Sequence, residues 1–516
     1  MANTLNLGSG NWGVKDSSLL GYKNRQNGRF IPETFDVARG SAGTRVNQSG
    51  LIETPEEILS ADLVTNGDFT TDTDWTKGTG WTISGGVAST VGTTKSSIYQ
   101  DCLVNGTNKV TFTLISGELS IYTTYPTFTN KGSFTVPGTY TVYLESDGVL
   151  NRLYFYNKDA GTPLSIDNVS AVEVNRDNLA RIDYLDDSAG VLLTEPQSTN
   201  LILNSEPTSN EGPMGGVSYE SFDWAIGFSN CAKIPSSNTL SFRYGGTTLA
   251  STEYTISAFV IMDDLSEPTV GATTTSKDFD FSIGGVNSLL TYNSNKYMGN
   301  NIWRTSATYT NTATPNGTNN GIIRNVGHSA KGFRVVGWQL EQLSYATSYI
   351  PTEDAVATRL ADVVNNAGDV NNFNSEEGVL FVETSALVDA APNRRISINS
   401  GDYINSILIN LKSTANQIGV IIKVSNSVQI DLTHTVSDVN AANKIALKYK
   451  SNDVAMWVNG IEVQSVSLFT AISANTLSKL SFDRGDGNDP FYGKTKNVQV
   501  FDTALSDAEL ITLTTI

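Results

Sequence analysis

Short strand-like runs recur along almost the whole chain, and almost nothing in it repeats with a helical period. Val110–Ile115 (VTFTLI), Tyr140–Leu144 (YTVYL), Tyr254–Ile261 (YTISAFVI), Val379–Val382 (VLFV), Gln417–Val424 (QIGVIIKV), Lys444–Tyr449 (KIALKY) and Val454–Val458 (VAMWV) are rich in β-branched and aromatic residues. Gly, Asn, Asp or Pro punctuates the gaps, at the spacing of sandwich strands and turns. One stretch reads as a helix: Ser506–Leu513 (SDAELITL), where Ser506 can cap, Glu509 sits three residues on, and Leu510 and Leu513 share a face. The pattern predicts an all-β chain of tandem β-sandwich, jelly-roll modules, with one short terminal helix.

At 516 residues the chain is too long for one core, and ordinary domain sizes suggest roughly three or four units. Hydrophobic residues at 39% are enough for several modest cores, while charged residues at 17% are scarce for a soluble chain. Ser, Thr, Asn and Gly fill the gap and favour turns and β surfaces. The formal net charge of −18 comes with no Lys/Arg cluster, so neither a nucleic-acid partner nor an anionic lipid surface is expected. No apolar run is long enough to insert in a membrane. The opening MANTLNLGSGNWG has neither basic nor apolar signal regions, which fits a protein assembled in a cell and released by lysis.

Two segments share an outline. One opens with Leu63–Phe69 (LVTNGDF) and closes with Leu164–Val174 (LSIDNVSAVEV); the other opens with Asn200–Glu206 (NLILNSE) and closes with Phe333–Leu343 (FRVVGWQLEQL). An opening strand and an alternating closing strand bracketing several others describe a jelly roll whose first and last strands pair. A third unit starts at EEGVLFVETS and ends with the helix. The expected division is a short N-terminal anchoring segment 1–58, a jelly roll 59–175, a second jelly-roll module 176–363, and a C-terminal sandwich 364–516.

Catalytic chemistry is sparse. His328 and His434 lie in different modules, as do Cys102 and Cys231, so a His-based triad, a His-rich zinc site and a disulfide framework are not expected. The neighbouring acids Asp186–Asp187, Asp263–Asp264 and Glu376–Glu377 read as solvated turns, because adjacent residues on a strand point to opposite faces. The expectation is a protein that is not an enzyme, with a glycan hydrolase as the alternative.

Binding chemistry is better represented. A sugar needs an aromatic ring to stack on the apolar face of a pyranose, with polar groups beside it. Trp75, Trp81, Tyr122, Tyr125, Tyr154 and Tyr156 offer rings in the first jelly roll. Alternation puts Tyr154 and Tyr156 on one face and Phe155 on the other, without saying which face is the core. Trp75, Trp81 and Trp224 can equally serve as core plugs.

Three stretches carry a resemblance. RFIPETFDVARGSAGTRVNQSGLIE (Arg29–Glu53), ARIDYLDDSAGVLLTEPQSTNLILNSE (Ala180–Glu206) and GWQLEQLSYATSYIPTEDAVATRLADV (Gly337–Val363) resemble, in that order, a pattern of phage tail-fibre and virion-decoration proteins. The segment Leu63–Val174 interrupts it and is similar to carbohydrate-binding jelly rolls that open on NGDF and close on IDNV. Met456–Val463 (MWVNGIEV) and Val498–Leu510 (VQVFDTALSDAEL) resemble the hairpin and the closing strand and helix of laminin-G/concanavalin-like sandwiches. The resemblance implies a structural and adhesive fibre, of head or tail, exposed on the virion. It further implies a homotrimer, attachment to other virion proteins through residues 1–58, and host-surface glycans as partners. A bacterial surface carbohydrate-binding protein is the runner-up. It also implies a structural calcium joining opening and closing strands of the insert, at Asp68 and Asp167, although Thr70 stands where that family more often has an acid. Asp483-Arg-Gly-Asp486-Gly-Asn-Asp489 is a second calcium-like spacing.

Overall fold

A computed structural model of the chain describes residues 4–8, 12–15, 18–24, 30–124, 127–158, 160–206, 217–236, 240–244, 247–271, 277–287, 289–311, 319–324, 328–467 and 470–516. Half of the chain is strand and 2% is helix, so the architecture is all-β, as the alternation requires. Two compact units emerge: Glu56–Arg176, and a larger one built from Met1–Pro55 together with Asp177–Ile516.

The smaller unit is a sandwich of two antiparallel sheets. In one, the strands run in the order Gly138–Ser146, Gly106–Ser116, Leu164–Asn175, Val87–Thr90 and Trp81–Ser84, with Glu57–Ile58 also along Leu164–Asn175. In the other, the order is Thr129–Phe134, Leu119–Thr123, Arg152–Asn157, Ser96–Asp101 and Thr76–Lys77. Phe112, Leu114, Ile121, Phe155 and Ile166 fill the space between them. The NGDF opening lies against the closing strand. Val169 N–H donates to Gly67 O at 2.9 Å, and a Cβ at Gly67 would sit 1.8 Å from Val169 O, so only glycine allows that approach.

The larger unit holds a C-terminal sandwich and a second jelly roll. The long sheet of the former runs Val363–Asn365, Phe30–Ala38, Ser18–Asn24, Leu5–Gly8, Gly493–Phe501, Glu377–Ala386, Asn443–Lys450, Val454–Val458, Ile461–Val466. Facing it are Ser427–Thr435, Gln417–Val424, Ser406–Leu411, Arg394–Asn399 and Lys479–Ser481. The VNGI turn has Asn459 at φ 51 and Gly460 at φ 85, the left-handed pair a two-residue hairpin needs. The helix Asp507–Thr514 follows Ser506, whose backbone N–H and hydroxyl both donate to the Glu509 carboxylate, at 2.9 and 2.7 Å.

The N-terminal strands within residues 1–58, expected as a separate segment, are part of the C-terminal sandwich. Leu5 pairs with Val500 and Leu7 with Val498, and Leu5, Leu7, Leu19 and Phe35 join the core of the C-terminal sandwich. The physical reason is an edge. Without these strands Gly493–Phe501 would present open backbone groups along the part they cover, and the alternation of Leu5-Asn6-Leu7 supplies two inward leucines there.

The second jelly roll places Ser218–Ser221, Asn230–Ile234, Phe333–Glu341, Glu253–Met262 and Ile302–Thr310 in one sheet, with Thr291–Tyr292 and Lys296–Gly299 along the last. Its two faces are both buried: one against Phe281 and Ile322 of a three-stranded sheet, the other against Trp224, Phe228, Val46 and Tyr349. Trp224 is a core plug.

The three linker stretches meet in a buried charge network. Arg181, fully buried, donates to Glu195 at 2.6 Å, to Thr44 O at 3.1 Å and to the Asp362 carboxylate. Arg39 reaches the other Asp362 oxygen at 2.7 Å, and Arg359 lies 3.1 Å from Glu195. Burial pushes the Glu195 carboxyl up, but Arg359 and Arg181 outweigh it and hold it far below the usual carboxylate range.

Candidate glycan interface

Alternation in Arg152–Asn157 sends Leu153, Phe155 and Asn157 into the core and Arg152, Tyr154 and Tyr156 outward. The neighbours do the same: Tyr99 faces out between buried Ile98 and Gln100, and Tyr122 faces out beside buried Ile121. Strand register then sets Tyr122, Tyr154 and Tyr99 abreast on three adjacent strands. Tyr99 and Tyr154 ring centroids are 5.0 Å apart. Phe128, 59% exposed, stacks on Tyr122 at 4.6 Å and meets Tyr154 edge-on at 5.4 Å. Tyr156 closes the patch, T-shaped to Tyr122 at 5.5 Å. The outcome is a continuous aromatic surface of five partly or largely exposed rings on one sheet face.

Polar groups flank it. Arg152 lies over the Tyr99 ring at 4.1 Å, donates to the Tyr154 hydroxyl at 3.1 Å, and forms a two-pronged ion pair with Asp101, one prong at 2.9 Å. That pairing raises the Arg152 guanidinium and lowers the Asp101 carboxyl, so both stay charged across the ordinary pH range. Asn130, exposed, is the cross-strand partner of Tyr122. Rings for pyranose faces and fixed donors and acceptors for hydroxyls therefore lie side by side.

The sequence-based site residues divide. Tyr122, Tyr154 and Tyr156 come together on this surface. Trp75 and Trp81 do not: they are 7% and 4% exposed and sit in the core. Trp75 packs on Phe69 at 5.2 Å and Phe155 at 6.1 Å, and its indole N–H donates to Asn66 O at 3.0 Å. Both tryptophans are plugs, because a ring of that size contributes most when fully desolvated. Tyr125 lies outside the described residues. Sequence reasoning missed Tyr99, Phe128 and Arg152. The alternation of Ser96–Asp101 could have found Tyr99; Phe128 sits in a connection where no period applies.

The two acids named for calcium, Asp68 and Asp167, are engaged within their own turns. The Asp68 carboxylate accepts from Thr70, at 3.3 Å from its N–H and 3.2 Å from its hydroxyl, and Asp167 accepts from Asn168 at 2.6 Å. Each acid caps its own turn. Among the described residues, no group of three or more His, Cys, Asp or Glu side chains is placed to hold a metal ion. In the loop at 483–489 the acids are also spoken for: Asp486 and Asp489 pair with Arg484, Asp489 with Arg395 at 3.0 Å, and Asp483 accepts from Asn365 at 2.7 Å.

Both cysteines are free thiols. Burial pushes Cys102 up to about 12 and Cys231 up to about 11, which keeps them protonated and poorly nucleophilic. His328 is buried with Nε2 3.3 Å from Gly271 O.

A laminin-G/concanavalin A-like lectin domain occupies residues 382–511. The matching family model is described as the concanavalin A-like lectin/glucanases superfamily. No curated protein matches the chain. Similar solved structures include domain 4 of AbnA, a GH43 extracellular arabinanase from Geobacillus stearothermophilus, in complex with arabinotriose. It is 12% identical with a TM-score of 0.26, over 33% of this chain and 82% of that one. A leech intramolecular trans-sialidase complex is 17% identical with a TM-score of 0.24, over 28% of this chain and 24% of the other. The botulinum neurotoxin serotype D binding domain is 11% identical with a TM-score of 0.24, over 29% of this chain and 40% of the other. At these TM-scores the likenesses carry no argument about what the chain binds. No helix among the described residues is long and apolar enough to cross a membrane.

Proposed function

We propose that the chain is a non-catalytic adhesive protein that binds surface glycans through the aromatic face of the Glu56–Arg176 unit. The observation that carries this reading is the row Tyr122, Tyr154, Tyr99, widened by Phe128 and Tyr156 and held on the solvent face of a sheet whose opposite face is the core. Rings kept partly exposed and pre-packed against each other lose little freedom when a saccharide stacks on them, which favours binding. The lectin-type domain at 382–511 agrees with such a role. The thiol chemistry agrees with a non-catalytic role, since burial holds both cysteines protonated.

The setting in this reading is a phage fibre, of head or tail, which rests on the three linker stretches that resemble that family. It is assembled as a trimer and exposed on the particle. The N-terminal strands are integral to the C-terminal sandwich, so attachment to other virion proteins uses surface outside their buried leucines.

The test is a glycan array probed with the full chain and with Tyr154→Ala and Tyr122→Ala chains. Selective binding by the parent, reduced at least tenfold in each variant while the melting temperature holds, is expected. Absence of binding, or binding indifferent to both substitutions, overturns the reading. Particle electron microscopy with a labelled chain tests the setting, and failure to find it on virions removes the fibre assignment while leaving the glycan site standing.

A further inference from the structure

The larger unit contains a cavity of about 580 Å³ that the aromatic face does not use. Its floor is the outer face of the second jelly-roll sheet, where Phe259, Arg304 and Lys296 lie abreast on three neighbouring strands. Tyr345 and the loop through Tyr349 border it, as do Asp183–Asp186.

The charges around this cavity do not balance. Arg39, Arg181 and Arg359 pair with Asp362 and Glu195, while Glu341 accepts from Ser198 at 2.7 Å and from the Thr347 N–H at 3.0 Å. At the mouth Lys296 and Lys494 share Asp186, with Asp183 4.0 Å from Lys494, and Arg45 pairs with Glu53. Arg304 has no such partner. Its guanidinium donates to the Ser257 hydroxyl at 3.1 Å and lies 5.3 Å from the centre of the Phe259 ring. Its Nε is buried with no hydrogen-bond acceptor, and no carboxylate lies within ion-pair distance of it among the described residues. Burial pulls this guanidinium down, with Glu341 and Glu195 opposing from a distance. A guanidinium that lines a cavity with no carboxylate in ion-pair reach is a ready receiver for an anion placed there.

We infer that the cavity is a second binding site, for a carboxylate-bearing saccharide whose carboxylate is received by Arg304. The planar guanidinium suits a carboxylate, two donors to two oxygens. The volume is in the range of small-molecule sites and far exceeds one inorganic anion. Asn293, Ser294, Ser306 and Ser344 line the walls with groups for hydroxyls, and Tyr345 with a ring. The net charge of −18 repels acidic sugars at long range, but screening within about 8 Å at physiological salt leaves the local guanidinium to decide.

Titration calorimetry on the full chain tests this, with trigalacturonate and sialyllactose as probes and maltotriose, lactose and inorganic sulfate as controls. At least one acidic probe should bind about tenfold or more tightly than its neutral counterpart and than sulfate. Arg304→Gln should weaken it about 10- to 100-fold, with Arg304→Lys between. Ser306→Phe, which fills the cavity and keeps the charge, should abolish binding. Repeating the titration with a Tyr122→Ala, Tyr154→Ala chain separates this site from the aromatic face: retained acidic binding is expected. Neutral sugars or sulfate binding as well as the acidic probes, binding by neither probe, or binding indifferent to Arg304→Gln in a folded chain overturns the inference.

Discussion

The two units treat polar and aromatic groups in opposite ways. In Glu56–Arg176 five rings stand on the outer face of one sheet, above a core that holds Trp75, Trp81, Phe112 and Phe155, and the charge pair that flanks the exposed rings, Arg152 with Asp101, is half in water. In the larger unit Trp224, Tyr349 and Trp338 are buried, and so is a cluster of three arginines with two acids drawn from segments far apart in sequence. The insert is stabilised by an apolar filling that any jelly roll uses, which leaves its outer face free to be specialised. The larger unit gathers its linkers by charge. A buried ion network adds little net stability over apolar packing, yet removing one member is severe. It specifies which segments meet, and it tolerates no partial version.

That contrast is broken most directly by Arg181→Ala. Loss of the guanidinium leaves Glu195 and Asp362 undercompensated in a buried setting, so the larger unit should lose about 3–5 kcal/mol. Urea unfolding followed by fluorescence should show its transition moving while that of the insert stays. Phe155→Ala is the mirror experiment, costing the insert about 3–5 kcal/mol through its core and leaving the other transition in place. If both transitions moved together in either variant, the two units would not be energetically separate.

A pH series sharpens the comparison inside the larger unit. Asp280 is fully buried, accepts from the Tyr292 hydroxyl, and has one oxygen without a partner. Burial, only partly offset by Tyr292, pushes its carboxyl up to about 6. A raised carboxyl contributes stability below its unfolded value that is lost as pH rises from about 4 through 6, by up to about 3 kcal/mol. Glu195 is depressed, so its contribution is present above the ordinary glutamate value and lost as pH falls below about 4. Relative to the parent, Asp280→Asn should therefore gain stability between pH 4 and 7. Glu195→Gln should be worst at pH 7 and recover only in acid. Denaturant melts at four pH values check both slopes.

Much of this was legible in the sequence, for a physical reason. Strand alternation reports burial directly, so it correctly set Phe155 against Tyr154 and Tyr156, and Ser506 with Glu509 marked the helix Asp507–Thr514. Long-range pairing leaves no such local mark. Nothing in LNLG at residues 5–8 says that its leucines belong under Val498 and Val500, some 490 residues later. Trp75 and Trp81 look alike on paper whether they plug a core or offer a platform, since composition records ring type and not direction. Asp68 and Asp167 each find a donor within two residues, a local competition that a motif spacing does not register. Arg304 was invisible for the converse reason. An unpaired charge is defined by what is missing around it in space.

On the aromatic face itself the stability effects should be small and the binding effects large. Tyr154→Ala removes a partly exposed ring with two ring neighbours and an Arg152 contact, and ring pairs of this kind are worth about 0.5–1.5 kcal/mol beyond area burial. A loss near 1 kcal/mol in the insert, with glycan binding reduced at least tenfold, would mark the ring as a contact rather than a support. A loss of the size seen for Phe155→Ala would mean that it is core, and that the face is not a platform.

The smallest expected effect is the most diagnostic of how that face is tuned. Arg152 and Asp101 are 34% and 50% exposed, so a double-mutant cycle with Arg152→Ala and Asp101→Ala should give a coupling of only about 0.2–1 kcal/mol, weakened by salt. Arg152 also lies over Tyr99 and donates to Tyr154, so its role is better read in binding than in folding. Asp101→Asn keeps the shape of the pair and releases the guanidinium from its carboxylate. If Asp101 holds Arg152 flat on the rings, this variant should bind neutral sugars less well while melting where the parent does. Unchanged binding would leave the ion pair as an ordinary surface contact and confine the platform to its five rings.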